Sequence, residues 1–270
     1  MALEETLAQI KPLDKTAMEM AAKRWDSIAK PLHSLGKMEK LVIQIAGITG
    51  SADVSVKKRA LVPMCADNGV VEEGVTQTGQ EVTAIVAENF LSGATSACVM
   101  SRQCGTDVIP VDIGMVVDTK VPTDLKIACG TANMTKEPAM SREQAVQALE
   151  AGIEMVRRLK EEGYKLLATG EMGIGNTTTS SAVAAVLLDR PIEEMTGRGA
   201  GLSGDGLTRK INAIKKAIEV NSPDPEDAID VLAKVGGFDI AGMAGMFLGG
   251  AALGVPVVID GFISCVAALI

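Results

Sequence analysis

The segment GEMGIGNTTTSSAV, Gly170 to Val183, places an acid, two close glycines, an amide and a run of hydroxyls at one joint. An apolar stretch that reads as a strand, YKLLAT, precedes it, and a helix-like one, AVAAVLL, follows. Glycines at 173 and 175 let a ligand approach the backbone closely. Asn176, Thr177 and Thr178 then open a helix, whose first-turn N–H groups, dipole and hydroxyls make an anion site. A tight turn with an N-cap is the plainer alternative, and the spacing favours the anion site over it. The pattern Gly-x-x-x-x-Gly-Lys-Ser/Thr is absent, so this is not an ordinary nucleoside-triphosphate loop. A nearby cation is expected: Lys210 in GLTRKINA, which a solvated helix lysine explains as well, or Arg198 in GRGAG. A phosphate held beside Glu171 suggests a nucleotide or sugar-phosphate substrate, with the acid acting as a base or stabilising a cationic sugar.

The elements that must position these groups follow a regular rhythm. Before residue 58 the chain reads as helices, DKTAMEMAAKRWDSIA and SLGKMEKLVIQIAGITG, with Ser34 as a candidate cap of the second. Beyond it, strands RALVPMCAD, TDVIPVDIG, YKLLATGE and VPVVIDG alternate with long helices. One helical run is TGQEVTAIVAENFLSGATSACVMSRQCG. Another, SREQAVQALEAGIEMVRRLKEEG, is capped by Ser141 and stopped by Gly163; GDGLTRKINAIKKAIEVN and DPEDAIDVLAKVGG come later. This alternation predicts an α/β fold, a mostly parallel, Rossmann-like sheet with helices on both faces, plus a small helical N-terminal part. The division expected is 1–57 and 58–270. Four apolar runs end on acids, Asp67, Asp112, Glu171 and Asp260. Parallel strands bring their C-terminal ends to one edge, where such folds bind ligands. Any one of these acids would also serve as a helix cap or turn former; together they point to a cleft.

Composition narrows the class. The 270 residues carry a formal net charge of −8, and aromatic residues make up 2%, which argues against a nucleic-acid partner and against base-stacking platforms. Five scattered cysteines without Cys-x-x-Cys spacing and a single histidine, His33, make a zinc site improbable and suit reduced thiols in the cytoplasm. The uncharged run Ile240 to Ile259 is long enough to span a bilayer. Its glycines and proline divide it into a buried small-residue helix, a stop at Gly254 and a strand, so no membrane segment is expected.

GEMGIGNTTTSSA resembles the signature of nicotinate-nucleotide–dimethylbenzimidazole phosphoribosyltransferases, which build the lower-ligand nucleotide of cobamides. KPLHSLGKMEKL, CADNGVVEEGVTQTGQEVTAIVAENFLSGATSA, VDIG, GTANMTKEPAMSREQA, TGRGAGL and GGFDIAGMAGMFLGGAALGVPVVIDGFIS are similar to family segments in family order. The resemblance implies transfer of the 5-phosphoribosyl group of nicotinate mononucleotide to an aromatic base, with inversion at the anomeric carbon and release of nicotinate. By it, Gly173, Gly175, Asn176, Thr177, Thr178 and Lys210 hold the ribose phosphate and Glu171 is the active-site glutamate. The segment Thr76 to Thr83 borders the base pocket, with Asp67, Thr76, Thr78 and Gln80 as its candidates. Neither a metal nor another cofactor is expected, and a homodimer, or a heterodimer with a family paralogue, is.

Three departures modify that picture. The family continues past the Asp-Gly-Phe-Ile segment into a tail whose Gly-Glu-Gly loop is taken to supply the general base. This sequence stops within the apolar run FISCVAALI, which would leave an apolar face uncovered. A truncated form is therefore expected, binding the mononucleotide weakly and turning over slowly or not at all. Asn68 stands where the family commonly has His, and Thr78-Gly79 where Tyr-Pro is common, which suggests a different or broader acceptor: a phenol, a substituted benzimidazole or a purine. His33 is expected to be structural. Two alternatives stay open: a non-catalytic subunit completed by a full-length relative and acting on phenolic acceptors, and a Mg²⁺-dependent kinase or nucleotidase using the strand-end carboxylates.

Overall fold

The computed structural model describes residues 2–270. Its elements are α1 (Leu3–Gln9), α2 (Lys15–Ser27), α3 (Lys37–Thr49), β1 (Arg59–Ala66), a 3₁₀ turn (Gly69–Glu73), α4 (Glu81–Ser92), α5 (Ser96–Gln103), β2 (Asp107–Val108) and β3 (Val111–Gly114). There follow α6 (Arg142–Glu161), β4 (Leu166–Met172), α7 (Asn176–Leu187), α8 (Ile192–Met195), α9 (Gly204–Asn221), α10 (Ala228–Val235), α11 (Phe238–Leu253), β5 (Val257–Val258) and α12 (Gly261–Ala267).

All strand pairs are parallel, in the order β2-β1-β4-β5, with β3 also on β1. Alternating residues of β1 divide the core, as period-two side chains must. Ala60, Val62, Met64 and Ala66 face the cluster built with α6 and α11, whereas Cys65 faces Phe90 and Cys98 of α4 and α5. The expected mostly parallel sheet with helices on both faces is the observed architecture.

Local signals explain several boundaries. Ser141 and Gln144 form a reciprocal capping box at the start of α6. Asp14, Thr95, Ser203 and Asp227 cap α2, α5, α9 and α10 through their side chains. Ser34 does not cap α3; Gly36 does, at φ 55°, a conformation glycine adopts without a Cβ penalty.

The single helical run expected over residues 78–105 is two helices, because Gly93 turns left-handed at φ 75° and Thr95 starts a new cap. Glu81–Gln103 is long and apolar enough to cross a membrane, yet it is broken there and packs Ala87, Phe90 and Cys98 onto the sheet. The strand expected over TDVIPVDIG is split between β2 and β3 around Pro110, and the one over VPVVIDG shortens to Val257–Val258.

The uncharged run after Ile240 is a buried helix ended by left-handed Gly254, as its glycines suggested. Those glycines let two backbones touch. A Cβ on Gly152 of α6 would stand 2.0 Å from Gly242 O, and one on Gly245 of α11 would stand 1.9 Å from Leu149 O. Only glycine fits such contacts, and they seat α11 hard against α6 beneath the sheet.

A candidate phosphate and ribose site at the β4–α7 corner

Strand β4 delivers Glu171 in register with Met64 of β1, then turns through Gly173-Ile174-Gly175 into α7. Gly175 adopts φ 93° as the residue before the helix, and a Cβ on Gly173 would meet Ala66 O at 2.5 Å. The corner is therefore tight on both sides. Asn176 N–H donates to Gly173 O, and the N–H groups of Thr178 and Thr179 donate to Gly175 O. Ile174 N–H donates to Thr83 Oγ1 at 3.1 Å. Among the described residues, the N–H groups of Gly175 and Thr177 lie outside these bonds and remain for an anion.

Lys210 brings a cation to the first turn of α7. It is 1% exposed, and Nζ donates to Thr177 Oγ1 at 2.7 Å and to Gly197 O at 3.2 Å. Burial without a counter-ion lowers its pKa to about 8. The loop Gly197–Gly201 closes over this pair: a Cβ on Gly199 would stand 3.0 Å from Thr177 Oγ1 and 3.6 Å from Lys210 Nζ. Gln77 Nε2 donates to Gly201 O, tying the segment before α4 to the loop. Arg198, the other candidate cation, donates to Leu202 O within its own loop.

Glu171 is half-buried, and its Oε2 accepts from Asn176 Nδ2. Burial raises its pKa, with the Asn176 bond opposing the rise. The same Asn176 Nδ2 donates to Asp239 Oδ2 at 3.0 Å. Asp239 is fully buried in the first turn of α11; burial, then the neighbouring Glu171 charge, push its pKa up to about 7. Asp239, which the sequence reading does not single out, is brought beside Glu171 by the fold; its signal in the sequence is an acid in Gly-Gly-Phe-Asp at the head of an otherwise uncharged run.

The other expected residues fall out as follows. Asp67 is buried, accepts from Val116 N–H at 2.8 Å, and keeps Oδ1 unpartnered, with burial raising its pKa. Thr76 Oγ1 donates to Thr78 O at 2.8 Å, shaping the turn before α4, and Gln80 Nε2 donates to Asn68 O at 3.1 Å. Thr178 is brought to the corner but faces inward, its hydroxyl buried and unpartnered.

Two of the four strand-end acids do not join a common cleft. Asp112 is buried, accepts from Met115 N–H at 2.8 Å, and pairs with Lys126 at 3.3 Å. Asp260 is exposed beyond the shortened β5. Asn68 lies beneath the corner, with Nδ2 donating to Ile174 O at 3.4 Å, and is fully buried. His33 is exposed, 3.7 Å from Glu39, far in sequence from these groups. Among the described residues no three His, Cys, Asp or Glu side chains converge as a metal site. A surface cleft of about 510 Å³ opens elsewhere, between residues 11–13, the end of α3 and the end of α11.

The arrangement can hold a phosphate monoester on the Lys210 side and present a carboxylate to its attached sugar on the Glu171 side. Comparison with known proteins points the same way. Residues 10–270 match the family model described as phosphoribosyltransferase, DBI_PRT. The chain is 54% identical, over 100% of its length and 77% of the relative's, to a nicotinate-nucleotide–dimethylbenzimidazole phosphoribosyltransferase of Ruminiclostridium cellulolyticum. It is 51% identical, over 99% of its length and 77% of the relative's, to the Acetivibrio thermocellus protein of the same name. Among solved structures, CobT from Thermus thermophilus superposes with a TM-score of 0.87 at 38% identity, covering 94% of this chain and 77% of that one.

Proposed function

The chain belongs to the nicotinate-nucleotide–dimethylbenzimidazole phosphoribosyltransferase family, and from that premise we propose which residues perform the transfer and on what. The reaction class is pentosyl transfer in cobamide synthesis. The donor is nicotinate mononucleotide and the acceptor an aromatic lower-ligand base. Family membership replaces the kinase or nucleotidase alternative.

The 5-phosphate sits on the N–H groups of Gly175 and Thr177, the Thr177 hydroxyl and the Lys210 ammonium, with Gly199 closing over them. This is the observation that supports the reading best: a buried cation with no counter-ion, beside open helix-start donors, is stabilised by an anion that meets both. The bond between the ribose anomeric carbon and the pyridinium nitrogen breaks, its electron pair going to nicotinate. The lone pair of the base's unprotonated ring nitrogen, or a phenolic oxygen, attacks the opposite face, and the proton of the base's N–H or O–H passes to solvent. Positive charge builds on the sugar in between, and the Glu171 carboxylate, one short turn from the phosphate, stabilises it. Thr76, Thr78, Gln80 and Asp67 border the base.

The division at 57/58, a cytoplasmic location, and assembly as a homodimer or with a paralogue belong to the same proposal. Apolar side chains exposed on α3 (Met38 57%, Leu41 52%) and on α4–α5 (Ile85 56%, Met100 69%) support association with a second chain.

The test is to incubate the protein with nicotinate mononucleotide and a panel of benzimidazoles, purines and phenols, and to follow nicotinate by chromatography. Base-dependent release supports the reading. Tight mononucleotide binding with no release for any base, alone or with a full-length relative, overturns it.

A further inference from the structure

One amide nitrogen serves two carboxylates at the head of the site: Asn176 Nδ2 donates to Glu171 Oε2 and to Asp239 Oδ2. Among the described residues neither acid has a basic partner, and Asp239 has no solvent exposure. The Asn68 side chain lies alongside. A Cβ on Gly237 would stand 2.6 Å from Asp239 Oδ1 and 2.7 Å from Asn68 Oδ1, so both oxygens border this glycine, and Asp239 Oδ1 accepts from Ile240 N–H at 3.0 Å. Asn68 Oδ1 is a buried acceptor with no donor among the described residues.

Two carboxylates gathered on one amide, with no basic partner, repel one another if both are ionised. A single proton on Asp239, the member with no solvent exposure, removes the charge repulsion. The other titratable groups around Asp239 do not remove it. Cys65 of β1 is a thiol pushed far up by burial, and Asp112 of β3 is held by Lys126.

We propose that Asp239 is a positioning residue for the transfer: it keeps the one proton of the carboxyl pair in its deeper member, so that Glu171 alone bears the negative charge facing the sugar. With both N–H groups of its amide committed to the pair, Asn176 presents only its Oδ1 acceptor, fixed in place, to a ribose hydroxyl. This rests on the reading of Glu171 as the sugar-facing carboxylate. The rise of Asp239 to about 7 means that the pair holds its proton below that pH and loses it above. Above it, the second anion repels Glu171 across the amide they share.

The experiment is a kcat–pH profile from pH 5.5 to 9 at saturating mononucleotide, with side-chain ¹³C carboxyl titration by NMR in parallel. Wild type should lose turnover above about pH 7 and show a carboxyl titrating there. Asp239→Ala should lower kcat about 100-fold, the scale of a misplaced electrostatic group, with KM changed far less. Asp239→Asn, an uncharged isostere of the protonated acid, should recover turnover to within about tenfold of wild type, with a flat profile and no carboxyl signal titrating near neutrality. Equal losses in Asp239→Ala and Asp239→Asn, or a neutral-range titration that survives in Asp239→Asn, overturn the proposal. Absence of turnover with every base counts against the transferase reading alone, and the carboxyl titration still decides this one.

Discussion

The ammonium of Lys210 lies 2.7 Å from the Thr177 hydroxyl, inside the protein and, among the described residues, with no carboxylate beside it. Desolvation is the only cause acting on this lysine, and it brings the pKa to about 8. A bound phosphate would supply the missing counter-ion and raise it again. Mononucleotide binding is therefore expected to take up a proton at pH 8 to 9 and to weaken as pH rises further. Calorimetry in buffers of different ionisation enthalpy reads this directly; buffer-independent heats at pH 8.5 would refute it.

The same depression has a sign for stability. Between about 8 and the usual lysine value of 10.5 the unfolded chain binds more protons than the folded one at this position, so this group's contribution to stability rises with pH across that window. Lys210→Met, which removes a buried cation and keeps the volume, should stabilise the ligand-free protein by about 1–2 kcal/mol. It should weaken mononucleotide binding by roughly 100-fold, about 3 kcal/mol. Urea unfolding and binding titration check the two halves; a variant that is both destabilised and competent to bind would contradict the assignment.

Glu171→Gln retains the hydrogen-bonding shape next to Asn176 and removes the charge. Nicotinate release is expected to fall by about 100- to 1,000-fold, with mononucleotide affinity changed by less than about tenfold. Single-turnover release against equilibrium binding separates the two effects, and a proportional loss of affinity would make Glu171 a binding group instead.

Gly173→Ala would put a methyl 2.5 Å from Ala66 O and 2.9 Å from Asp239 Oδ2. The backbone of β1 cannot yield without moving the corner. Binding of the mononucleotide should be lost while the helices stay folded, which circular dichroism and titration together would show. Normal binding would mean that the phosphate does not use this corner.

Gly245→Ala tests the scaffold alone. Its methyl would stand 1.9 Å from Leu149 O, forcing α11 off α6. A loss of about 3 kcal/mol or more is expected, a fall in Tm of roughly 10 °C. Ser141→Ala, which removes the capping box of α6, should cost only about 1 kcal/mol and leave nicotinate release unchanged. Thermal scans and the release assay rank the two variants against wild type.

Much of this protein was legible because it is written in short-range pattern. The alternation of strands and helices, the cap at Ser141, and the glycine-flanked corner before Asn176 depend on neighbours within a few residues. So does the helix-and-strand reading of the uncharged run after Ile240. The errors arose where one local signal competed with another. Gly36 outweighed Ser34 as the start of α3, Gly93 broke a long helical run, and Pro110 divided a strand.

By itself, then, the sequence determined the fold class, the glycine-flanked strand-to-helix corner and the family motifs, since each is set by residue type and spacing along the chain. The tertiary structure alone decided which acids meet. Asp112 is neutralised by Lys126, Asp260 faces solvent, and Asp239, 63 residues from Asn176, reaches the site. The physical reason is that α11 is seated by backbone contact of Gly242 and Gly245 with α6. That seating carries the first turn of α11 under the end of β4, where a buried carboxylate, an amide and Glu171 must settle their charge together.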